Sequence, residues 1–125
     1  MNKDIAMKWA DALESGEYPQ IKSFLHTADG YCCLGVLCEL SGFASWKEED
    51  IPWLDQAGLP IRFKYPDGTG LTSKYSLPYN VMEWSGVRTS SGEVLSEDNT
   101  LASLNDKGKT FTEIAQIIRE NWENL

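Results

Sequence analysis

The chain has one histidine, three cysteines and no long apolar run, and each scarcity removes a class of function. A membrane span takes about 20 consecutive apolar residues, and no segment approaches that length. The opening MNKDIAMKWADALES is amphipathic and carries acids, unlike a signal or transit peptide. An odd number of cysteines without a secretion signal points to free thiols in a reducing cytoplasm. Clustered Lys and Arg are also missing. Against 19 acidic residues stand 11 basic ones, giving a formal charge of −8. Long DNA or RNA is held by releasing counterions to such clusters, so it is excluded as a partner. The acidity reads as a solubility feature.

Catalytic and metal patterns are equally sparse. Any Cys-His or Ser-His-Asp arrangement would have to use His26, and no Gly-x-Ser-x-Gly is present. There is no Walker loop and no dinucleotide fingerprint; Gly68-Thr69-Gly70 is a turn. Structural zinc wants four ligands at loop spacing. Cys32 and Cys33 are adjacent and would point to opposite faces of a strand, and with Cys38 and His26 they form no familiar zinc spacing. Cys33 and Cys38 therefore read as small buried hydrophobes, and Glu48, Glu49 and Asp50 as a solvated helix start. No catalytic residue, metal or cofactor is expected.

What is present predicts a single α+β domain over residues 1–125. Ile5, Ala6, Trp9, Ala12 and Leu13 form one stripe of a helix over 4–14, capped by Asn2 and ended by Ser15-Gly16. Thr27–Gly30 is a turn that lets residues 21–26 pair with 31–33. The apolar run Cys33–Leu40 predicts a buried central helix, in which Gly35 admits a neighbouring backbone. Pro66–Gly70 links two short arms, residues 61–65 and 71–75, with Ile61, Phe63 and Tyr65 on one face and Arg62 and Lys64 on the other. A short helix spans Pro78–Trp84, with Gly86 after it. Residues 87–95, broken at Ser90-Ser91-Gly92, predict a second hairpin. A brief helix over residues 100–104, a link at 105–108 and a long helix opened by the Thr110–Glu113 capping box complete the chain.

The irregular middle holds four of the five prolines and most of the large aromatics. It also carries Arg62, Lys64, Lys74 and Arg88. Rings stack on nucleobases and guanidinium forks grip phosphates. Arg62, Lys64, Tyr65, Trp53, Tyr75 and Arg88 are thus the candidate ligand-binding residues for a small anionic, nucleotide-type molecule. The competing reading makes the same rings the core of a loop-rich half.

KWADALESGEY, DGYCCLGVLCELSG, LPYNVMEWSGV and LASLNDKGKTFTEIAQIIREN together resemble a family of small phage and prophage proteins. That family shares a YCCLGVLC motif and a C-terminal LND-x-G-x-TF helix motif. The resemblance carries over no catalytic residue; Cys32, Cys33, Gly35, Cys38, Asn105, Asp106 and Gly108 read as fold-determining. It implies a setting in the cytoplasm of an infected bacterium. There a non-enzymatic counter-defence protein, a sponge, would sequester a nucleotide-derived immune signal, with a homodimer or larger homo-oligomer supplying enclosure. Two other functions are open: a protein–protein inhibitor of a host defence enzyme, and a small hydrolase using Cys32 or His26.

Overall fold

In the computed structural model, which describes residues 1–125, helix α1 runs from Lys3 to Glu14. Asn2 caps it by accepting the Ile5 N–H at 3.0 Å. Its buried side is Ala6, Trp9, Ala10 and Leu13, with Ile5 and Ala12 at the margin. The Trp9 indole N–H donates to the Cys33 carbonyl (2.9 Å) and ties α1 to the start of α2, Cys33–Ser41. Every residue from Cys33 to Cys38 is buried, so the nearly unbroken apolar run does form the central helix. Each wholly buried Leu or Val in it contributes roughly 1.5–3 kcal/mol.

Helix α3, Tyr79–Ser85, starts after Pro78 and stops at the left-handed Gly86. Helices α4, Leu101–Asp106, and α5, Phe111–Asn121, each open with a capping box, at Thr100 and Thr110. A 3₁₀ turn, Trp122–Asn124, follows. α1 packs chiefly against α5, and α2 touches α1, α3 and α4. No helix is long and apolar enough to cross a membrane.

The strands are short and antiparallel. β1, His26–Thr27, pairs with β2, Gly30–Tyr31; β3, Lys47–Glu48, and β5, Thr72–Ser73, both pair with β4, Phe63–Pro66; β6, Glu93–Ser96, pairs with β7, Asn99–Thr100. An isolated bridge from Thr27 to Arg62 joins the first two groups.

Four expectations are corrected. Of the expected arm 21–26 only His26 is in a strand, which runs on into Thr27 of the expected turn. The second hairpin lies at residues 93–100 rather than 87–95, turning at Glu97-Asp98. Gly92, expected at the tip, packs instead against Leu101, whose N–H donates to the Gly92 carbonyl. Residues 47–48 form β3, so the acids that follow begin no helix. The supposed link residue Asn105 belongs to α4 and is wholly buried.

Candidate functional site

Burial decides what the thiols can do. Cys32, Cys33 and Cys38 all lie in the core. Desolvation pushes Cys32 up to about 11 and raises Cys33 and Cys38 well above an ordinary thiol. Thiolate nucleophiles need the opposite environment. His26 is wedged between Tyr31 and Phe63, with ring centroids 3.8 and 4.5 Å away. Its Nδ1 donates to the Gly30 carbonyl at 2.6 Å. Desolvation lowers its pKa, against smaller opposing effects from the Gly30 carbonyl and Glu39. No group of three His, Cys, Asp or Glu side chains converges to hold a metal.

A different cluster forms on the surface beside β1 and β4. The Arg62 guanidinium lies over the Phe24 ring, 4.5 Å from its centroid. Tyr75 packs on Phe24 at 5.4 Å, with an interplanar angle of 36° and half its own surface exposed. Cation–π contact at such a site is worth about 0.5–1 kcal/mol, enough to bias the Arg62 rotamer. Backbone bonds fix the arrangement: the Arg62 carbonyl accepts from Glu49, and Ala28 N–H donates to Ile61.

Phe24 is aimed by a strained turn. Ser23 has φ +73°, uncommon for a residue with a side chain, and Phe24 N–H closes a three-residue turn onto the Lys22 carbonyl (2.9 Å). The Ser23 N–H is held by the Asp106 carboxylate at 2.8 Å. Beside it opens a groove of about 240 Å³ lined by Lys22, Phe24, Asp29 and Arg62, with an apolar wall of Leu59 and Pro60.

The three arginines differ in what they have left to give. Arg119 is committed to Asp11 and Glu14, and Arg88 donates to the Asn124 carbonyl. Arg62 makes no hydrogen bond or ion pair through its side chain, leaving five N–H donors free. Lys64 shares its strand face, directly across from Lys47. Lys74, 5.5 Å from the Tyr75 ring, is paired with Glu49 at 2.5 Å. The second Glu49 oxygen is buried without a partner.

Of the six candidate ligand residues, Arg62 and Tyr75 come together around Phe24, and Lys64 lies on the Arg62 side of β4. The other three do not join them. Tyr65 is wholly buried; its hydroxyl meets Ser41 Oγ at 2.9 Å and accepts from Ala44 N–H, so the ring is core. Trp53 is exposed on the turn after β3 and lines no recess with Arg62. Arg88 borders a separate recess with Thr89 and Glu93. Lys22 and Phe24 escape sequence reasoning because nothing local marks the turn at Ser23; Asp29 is on the expected Thr27–Gly30 turn, and only the distant Thr27–Arg62 bridge brings that turn to Arg62.

Elsewhere, a recess of about 350 Å³ carries Glu48, Glu49, Asp50 and Asp55 and would repel anions. Phe43, half exposed, meets Trp84 edge-on at 5.9 Å and forms an open apolar patch with Asn80 and Glu83.

No curated protein and no solved structure matches the chain. A family model does match it, over residues 1–122, and by that match the chain belongs to the family described as "Domain of unknown function (DUF8296)".

Proposed function

We propose that this protein is a non-enzymatic binder of a small anionic, ring-bearing molecule of nucleotide type, held at the Arg62–Phe24–Tyr75 face. The observation that carries the reading is Arg62. It is half-buried, stacked on a ring, beside a groove, and without any acceptor in its own chain. A pre-positioned guanidinium fork is suited to phosphate, and its partner ring and Tyr75 suit a base. Lys22 and Lys64 add charge on an otherwise acidic chain. The raised thiols and enclosed imidazole favour binding over a Cys32- or His26-dependent hydrolysis.

The groove falls below the roughly 300–1,000 Å³ of sites that engulf a ligand, so one chain covers a nucleotide only in part. Affinity of a single chain is expected near the micromolar range, about −8 kcal/mol. Sequestration at nanomolar levels, as a phage sponge would require, then calls for a second copy over the groove. Calorimetry against a panel of mono- and cyclic nucleotides tests the reading. Arg62→Ala should weaken binding about tenfold or more while lowering the melting temperature by no more than a few degrees, the cost of one cation–π contact. A protein inert to the whole panel would defeat it.

The Phe43–Trp84 patch favours a second reading, inhibition of a partner protein. In that case Trp84→Ala would abolish biological activity and Arg62→Ala would not.

A further inference from the structure

The groove holds a negative charge as well as a positive one. Asp29 sits on the β1–β2 turn, exposed, and its carboxylate makes no hydrogen bond or ion pair within the chain. Its own N–H is fixed by Thr27 Oγ1 at 3.2 Å. The Thr27–Arg62 bridge and the bond from Ala28 N–H to the Ile61 carbonyl (2.8 Å) set Asp29 and Arg62 in one rigid frame. The two nevertheless form no ion pair with each other, and each keeps its charge free for a ligand. A groove for a bare anion gains nothing from a free carboxylate, which repels it.

A free carboxylate and a free guanidinium in one groove fit a ligand that carries both an anion and paired donors. Ile21, Leu59 and Pro60 line the same groove beside Phe24, an apolar surface suited to a flat ring rather than a sugar diol. Resting on the nucleotide-type reading above, we infer that the preferred ligand carries a guanine base, with Asp29 as its specificity residue. A carboxylate only accepts. Guanine offers N1–H and the 2-amino group side by side, whereas adenine presents an unprotonated N1 there. Arg62 and Lys22 take the phosphate.

Calorimetric titration of GMP, IMP, AMP and ribose 5-phosphate into the intact protein tests this. GMP should bind about tenfold more tightly than AMP. IMP, lacking the 2-amino donor, should fall between them, and ribose 5-phosphate should bind weakest. Asp29→Asn, with no internal bond to lose, should erase the GMP preference and keep the stability. Asp29→Ala provides the same readout without the amide. Equal binding of GMP and AMP, or a preference that survives both variants, overturns the guanine assignment and leaves the anion face standing. Binding of no nucleotide at all overturns both.

Discussion

The carbonyl oxygen of Leu25 lies where a side chain at Gly35 would begin: a Cβ there would stand 1.8 Å from it. The central helix is thus pressed directly onto the segment that carries Phe24 and His26. Position 35 couples the core to the candidate binding face.

Gly35→Ala tests that coupling. Alanine gains up to about 1 kcal/mol of helix propensity over glycine. Pushing two backbones apart costs more, since overpacking alone reaches about 1–3 kcal/mol. Net destabilisation of about 2 kcal/mol is expected from the urea midpoint. A stabilised variant would mean that the two backbones are not in contact.

Asn105 gathers the chain around it. Its carbonyl accepts from Cys33 N–H (3.2 Å) and Gln20 Nε2 (3.0 Å), and its amide donates to the Ile21 carbonyl (2.8 Å). It caps α2 from a distance, a role that Cys32 at the N-cap leaves unfilled. Asn105→Ala should cost about 2–3 kcal/mol, because several buried groups lose partners together. Chemical denaturation measures it, and a loss under about 0.5 kcal/mol would contradict the hub.

His26 gives stability a pH dependence of known sign. Its folded-state pKa is lowered, chiefly by desolvation, so the unfolded chain binds the proton more readily. The contribution is fully present above the unfolded value near 6.5. It is lost as the pH falls from there through the lower folded value. Wild type should therefore lose more stability between pH 7.5 and 5 than His26→Phe, which keeps the stack but cannot titrate. Parallel urea-midpoint curves for the two would contradict this.

Features written in consecutive residues were legible in the sequence. The Asn2 cap, the Thr110–Glu113 box, the Pro78 and Gly86 boundaries and the close approach at Gly35 all depend on residue types within one turn. The cysteines, too, were readable as core. What escaped depends on partners far away. Alternation put Tyr65 and Arg62 on opposite faces but could not say which face was inside; Ser41 and Ala44 decide that by satisfying the Tyr65 hydroxyl. Ser-Ser-Gly carried a stronger turn signal than Glu97-Asp98, yet Gly92 is used against Leu101. The turn at Ser23 is held by Asp106, 83 residues away, so Phe24 had no local mark.

The anion face is tested most directly by mapping amide chemical shifts by NMR during titration with GMP. The account predicts shifts concentrated at Lys22, Phe24, Thr27, Asp29, Arg62 and Tyr75, absent around Arg88, and requiring about tenfold more GMP in Arg62→Ala. Shifts centred on Phe43 and Trp84, or none at millimolar nucleotide, would contradict it.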